Sequence, residues 1–209
     1  MAQFHTCCDS GLTDSIPRMT RRTFMGLSLG AGPAVAAILA QDPSPPRSTE
    51  PVKVASGADR HEKPCNLGDQ STIDRKVCSA DTGGQLFVIE NHAQTQFGPP
   101  RHVHHNQDEW FHVLSGEVEI EVGEQRYRLM PGDSLLAPRG LPHAWAQIAP
   151  EGGRLLIAFQ PAGKMEAFFA ELARLGRIPP TAEAHTLFEQ HGMTVVGPPL
   201  KLQPTPRIN

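Results

Sequence analysis

Seven short β-rich runs follow one another between residues 86 and 160: LFVIE (86–90), WFHVL (110–114), EVEIEV (117–122), QRYRLM (125–130), SLLAP (134–138), HAWAQI (143–148) and RLLIAFQ (154–160). Turn residues separate them at Ser115-Gly116, Gly123-Glu124, Pro131-Gly132-Asp133 and Glu151-Gly152-Gly153. Short strands at close, even spacing with turn chemistry between them define an antiparallel sandwich or barrel, so the fold class expected is all-β. In EVEIEV, valine and isoleucine alternate with glutamate, which buries one face and wets the other. WFHVL is apolar on both faces: Phe111 and Val113 share the parity of Glu109, while Trp110 and Leu114 need cover from a helix or a second subunit. A homodimer is the expected source of that cover.

The chemistry concentrates in GPPRHVHHNQDEWFHVLSG (98–116). His102 and His104 are two residues apart, so in an extended strand both imidazoles point the same way. A polar bend at Asn106-Gln107-Asp108 can return the chain alongside itself, bringing Glu109 into the same hairpin. A fourth candidate, His143, follows a tight turn in GDSLLAPRGLPHAWAQ. Three imidazoles and a carboxylate form a borderline N/O set that suits manganese, iron, cobalt, nickel, copper or zinc. One such divalent ion per chain is expected, with two coordination positions left open in an octahedral ion. Glu109 is either a ligand or a catalytic base beside the substrate. His105 should point to the opposite strand face, and His112 faces away from Glu109. His92, His185 and His191 lie outside both stretches and read as solvated or structural residues.

At these residues the chain resembles the cupin superfamily. His102, His104, Glu109 and Gly116 fit its first motif, and Gly132, Pro138, Gly140 and His143 fit its second. Gly98 lies closer to His102 than in the most quoted form, and Gln147 stands where the family often has asparagine. The resemblance covers roughly residues 86–161 and implies a double-stranded β-helix, or jelly-roll barrel, with His102, His104, Glu109 and His143 as metal ligands. Gln147 is a candidate partner behind the ligands. Together with PAGKMEAFFAEL and FEQHGMTVVGPPL, the motifs look most like small single cupins grouped with quercetin dioxygenases. That likeness implies O₂-dependent cleavage of a flavonol or other enolisable aromatic substrate, with Phe87, Phe97, Phe111 and Phe159 as candidates for the pocket lining. Non-catalytic binding of a metal or small ligand, and redox-neutral isomerisation, are the alternatives, because the fold does not fix the reaction.

The flanks are of a different character. TRRTFM (20–25) precedes an uncharged Leu/Ala/Gly-rich stretch (26–40) that resembles a twin-arginine export signal. The apolar run is too short for a comfortable membrane span. Residues 1–40 are therefore expected to be an extension and signal recognised by the twin-arginine translocase, with the mature protein periplasmic or secreted. If translation starts at Met19, Cys7 and Cys8 fall outside the protein. Residues 41–63 are Pro/Ser/charge-rich and read as a disordered linker. Cys65 and Cys78 follow, and in an oxidising compartment they are candidates for a disulfide. The barrel domain is expected over 64–161 and a helical segment with an irregular tail over 162–209. Within the latter, Met165, Phe168, Phe169, Leu172 and Leu175 have helical spacing and Gly176 ends the helix, while a second helix runs over about 182–190. The 209 residues are 39% hydrophobic and 6% aromatic with formal net charge −3, which supports one modest core and gives no concentrated basic surface for nucleic acid.

Overall fold

The structure is a computed structural model and describes residues 46–201. The twin-arginine stretch, Met19, Cys7, Cys8 and the closing residues 202–209 lie outside the described residues. In chain order the strands are β1 (Cys65–Asn66), β2 (Ser71–Val77), β3 (Phe87–Ala93), β4 (Pro100–His104), β5 (Asp108–Ser115) and β6 (Val118–Val122). They continue with β7 (Gln125–Leu129), β8 (Ser134–Ala137), β9 (His143–Gln147) and β10 (Gly153–Gln160), then the helices α1 (Met165–Leu175) and α2 (Thr181–Gln190), and finally β11 (Met193–Pro199).

Two antiparallel sheets result, one ordered β1-β2-β3-β10-β5-β8 and the other β11-β4-β9-β6-β7. Alternation drives the inner faces together: Phe87, Ile89, Phe111, Val113, Val118, Ile120, Ile157 and Phe159 are all 0–1% exposed and form the core between the sheets. In β6 the glutamates between the buried valine and isoleucine pair outward with arginines, Glu119 with Arg126 and Glu121 with both Arg101 and Arg126.

Two strands escaped the sequence pattern. STIDRKV forms β2 beside β3, with only Ile73 as a large apolar inward residue. MTVVGPP, whose VVGPP was expected to begin an irregular tail, forms β11 against β4, with Met193 opposite His104 and Val195 opposite His102. Its prolines are tolerated because β11 is an edge strand and its register shifts between Val195 and Pro199. The expected hairpin across 98–116 is also corrected. β4 pairs with β11 and β9, whereas β5 pairs with β10 and β8, so the Asn106–Asp108 bend carries the chain from one sheet to the other.

Ordered structure begins before residue 64. Asp59 is buried and holds Arg75 of β2 through Nε (2.9 Å) and Nη2 (2.7 Å), while its oxygens accept the backbone N–H groups of His61, Lys63 and Arg75. The bridge considered between Cys65 and Cys78 is not formed; both are buried free thiols. Cys65 sits opposite Ile73, five residues before Cys78, and five extended residues span about 16 Å, far outside disulfide reach. Among the described residues no helix covers the outer face of β5: Trp110 stacks on His112 at 5.6 Å, and Leu114 and Leu136 are 37% and 54% exposed.

Candidate metal centre

Strand parity on β4 turns His102 and His104 inward, where they are 4% and 1% exposed. His143 opens β9 directly opposite His102, and Glu109 reaches in from β5 of the facing sheet. The site is thus closed by both layers of the sandwich. Glu109 Oε2 lies 2.8 Å from His143 Nε2, 3.1 Å from His104 Nε2 and 3.9 Å from His102 Nε2. The Nε2 atoms of His102 and His104 are 3.2 Å apart, and all four donor atoms fall within 4.8 Å of one another.

Two imidazoles are fixed by backbone. His102 Nδ1–H donates to the Pro100 carbonyl (2.8 Å) and His143 Nδ1–H to that of Leu141 (3.0 Å), leaving each Nε2 aimed at the centre. Aromatic rings hold them from behind: Phe188 edge-on to His102 at 5.2 Å, Phe159 against His104 at 5.7 Å and Phe111 edge-on to His143 at 6.3 Å. Burial, reinforced by the neighbouring imidazoles of His143 and His104, pushes His102 down to about 3 and keeps it neutral. Burial also works against charge on Glu109, but hydrogen bonds from His104 and His143 outweigh it and hold the carboxyl below the usual range. At His143 burial opposes protonation, yet the bond to Glu109 raises its pKa.

The residues fit a transition-metal ion. With metal–ligand bonds of about 2.1 Å, neighbouring ligands lie about 3.0 Å apart in an octahedron and about 3.4 Å apart in a tetrahedron; the 3.1 and 3.2 Å spacings fall in that range, with 2.8 Å just below it and 3.9 Å above. His104 differs from the other two imidazoles: its Nδ1 is buried with no hydrogen-bond partner, so no bond from its second nitrogen orients the ring.

The motif glycines have physical reasons. A Cβ on Gly98 would lie 2.0 Å from the Trp145 carbonyl oxygen of β9, and one on Gly116, at φ +79°, would lie 2.0 Å from Gln147 Nε2. Gln147 is thereby placed away from the ligands. Its amide donates to the Gly152 carbonyl (2.8 Å), so it braces the turn before β10 and is not a partner of His143.

The site opens into a cavity of about 760 Å³, roofed by α1, α2 and β11. Phe97 and Phe159 line it, as do Trp145 and Phe188, which the sequence did not single out, and Phe168 and Phe169, which the helical spacing marked only as a core stripe. Phe87 and Phe111 do not; both are wholly buried in the sandwich core. Among the described residues, none that lines the cavity is lysine or arginine; beyond His102, His104 and Glu109 only Gln70, Thr181 and His185 are polar. His185 thus belongs to the pocket rim, a position no local motif marks because α2 brings it there. His105 is exposed and bonds Thr194 (2.9 Å), and His92 pairs with Asp74 and Glu90 on the outer sheet face.

Residues 88–159 match the family model described as Cupin domain, and with two antiparallel sheets around a buried His₃–Glu group this chain carries a cupin jelly roll. Solved structures similar to it include an RmlC-like cupin from Shewanella frigidimarina, at 19% identity and TM-score 0.46, covering 56% of this chain and 96% of that one. KdgF from Halomonas sp. aligns at 20% identity and TM-score 0.43, covering 52% of this chain and 94% of that one. A sugar phosphate isomerase of the cupin superfamily from Silicibacter pomeroyi aligns at 21% identity and TM-score 0.39, over 44% of this chain and 60% of that one. No curated protein matches the chain.

Proposed function

We propose that this protein is a metal-dependent dioxygenase acting on a flavonol or a related enolisable aromatic hydroxy compound. The observation that carries the reading is the cavity above the His₃–Glu group: aromatic and aliphatic walls, no lysine or arginine among them, and three polar groups beyond the ligands. Beyond the ion, a dianionic acid or a sugar phosphate would find no cationic side chain for its remaining charge there, at a cost of several kcal/mol, roughly. A flat, mostly uncharged ring system instead buries apolar area against Phe97, Trp145 and Phe159.

His102, His104, Glu109 and His143 would hold the ion, which supplies Lewis acidity toward a hydroxyl oxygen and a redox partner for dioxygen. Glu109 would accept the proton of the acidic enolic hydroxyl at a carboxylate oxygen and leave the substrate electron-rich at the adjacent ring carbon. The neutral imidazoles, fixed through the Pro100 and Leu141 carbonyls, keep the polar floor of the pocket in place. α1 and α2 form one apolar side of the cavity, and Gln70, Thr181 and His185 offer hydrogen bonds to hydroxyls at the far end of the ring system.

An oxygen electrode tests this. The full chain loaded with manganese, iron, cobalt, nickel or copper is expected to consume O₂ with a panel of flavonols and catechols, and Glu109→Gln to lower kcat at least about tenfold, in line with loss of a general base. No uptake with any metal and substrate would refute the dioxygenase and move the reading to ligand binding or isomerisation. We further propose export through the twin-arginine route and a homodimer in which a second subunit covers Trp110, Leu114 and Leu136. A monomeric sedimentation profile at micromolar concentration would refute the dimer.

A further inference from the structure

A second group of metal-ligating side chains lies outside the barrel site. His61, Cys78 and Glu166 come from three separate segments: the loop before β1, the turn after β2 and the first turn of α1. Cys78 Sγ is 3.4 Å from His61 Nε2, and one donor atom from each of the three residues lies within 4.8 Å of the others. Cys78 is buried, Glu166 half-buried and His61 exposed, so the group opens at the surface on the imidazole side. We propose that His61, Cys78 and Glu166 bind a zinc-class divalent cation that ties the amino-terminal loop to α1, with a water in the fourth position.

The spacing favours the cation. A tetrahedral zinc with Zn–S about 2.3 Å and Zn–N about 2.05 Å sets sulfur and nitrogen about 3.6 Å apart, close to the separation seen. The frame is prebuilt on two sides. Asp59 accepts the His61 backbone N–H (2.9 Å), and Glu166 Oε2 accepts the Ser79 backbone N–H (2.8 Å), so the imidazole loop and the carboxylate are each anchored by backbone next to the thiol. Charge also balances. The cation displaces the Cys78 thiol proton to solvent, and a thiolate and a carboxylate then neutralise a dication beside a neutral imidazole. Burial and the neighbouring Glu166 otherwise push that thiol up to about 12, the condition a cation reverses. Thiolate and imidazole together select zinc over magnesium or calcium. Because α1 contributes Met165, Phe168 and Leu172 to the cavity wall, the cation braces one side of the pocket without touching its contents.

Cobalt(II) titration of the metal-free full chain tests the site. A thiolate-to-cobalt charge-transfer band in the near ultraviolet is expected, which the imidazoles and carboxylate of the barrel site cannot produce. Cys78→Ser should abolish it and Cys65→Ser should leave it. His61→Ala changes an exposed residue and spares the core; it should weaken zinc affinity at this site more than about tenfold, since loss of even an outer partner costs about 10–100-fold. A wild-type protein with no such band, a band that survives Cys78→Ser, or unchanged affinity in His61→Ala overturns the proposal.

Discussion

Replacing Asp59 with alanine removes the anchor of a segment whose composition alone says linker. The carboxylate is fully shielded from solvent and accepts five hydrogen bonds, two from the Arg75 guanidinium and three from backbone N–H groups, while Arg75 remains 23% exposed. Breaking a buried pair by deleting one partner costs about 3–5 kcal/mol. Arg75 and the loop N–H groups of His61 and Lys63 regain some water, which lowers the expected loss to about 2–4 kcal/mol, or about 4–16 °C in Tm for a chain of this size. Asp59→Asn retains an acceptor and should lose about half as much. The pH dependence has a definite sign. Burial opposes the charge, but the Arg75 and backbone hydrogen bonds outweigh it and hold the carboxyl well below its ordinary value. Its stabilisation is therefore present above the unfolded pKa of about 3.9 and is lost as pH falls toward the folded value. Urea unfolding at pH 7 and at a series of acid pH values measures both effects. A loss under about 1 kcal/mol in Asp59→Ala, with an acid limb identical to wild type, would refute the reasoning.

Two further predictions concern the metal centre and the thiols. A divalent transition ion at 100 times its Kd for the barrel centre should raise wild-type stability by about 2.7 kcal/mol, seen as about 5–11 °C in Tm, and His143→Ala should abolish that contribution together with the metal bound at the barrel centre; full occupancy of the barrel centre in the variant would contradict the ligand set. In metal-free protein, burial raises Cys65 to about 11, and burial together with Glu166 raises Cys78 to about 12. Both groups should resist alkylation at pH 8 until denaturant is added, and stability should fall as pH climbs from about 8.5, the unfolded thiol value, toward 11 and 12. Mass spectrometry finding the two cysteines joined, or rapid labelling of the folded chain, would overturn that account.

The local pattern carried much of the barrel and of its centre. Period-2 alternation in EVEIEV and the shared parity of Glu109, Phe111 and Val113 fix which faces are buried, because a strand's side chains alternate whatever it pairs with. The same rule aims His102 and His104 in one direction and sends His105 and His112 in another. Gly98 and Gly116 stand out in sequence without revealing their reasons, which are close backbone and side-chain approaches from β9.

Pairing partners were not legible in the same way. The bend after His105 looks like a hairpin locally, yet each arm finds its hydrogen bonds in a different sheet, and that choice is what carries Glu109 across the sandwich to face three histidines. Gln147 sits at the expected position and turns to Gly152, since its reach is set by where β10 begins. Strand alternation and residue chemistry, which are local, determined the barrel and its His₃–Glu group. The lining of the cavity, the fate of Phe87 and Phe111, the arrival of His185 and the meeting of His61 with Cys78 and Glu166 were decided by tertiary structure, because each depends on contacts between segments far apart in the chain.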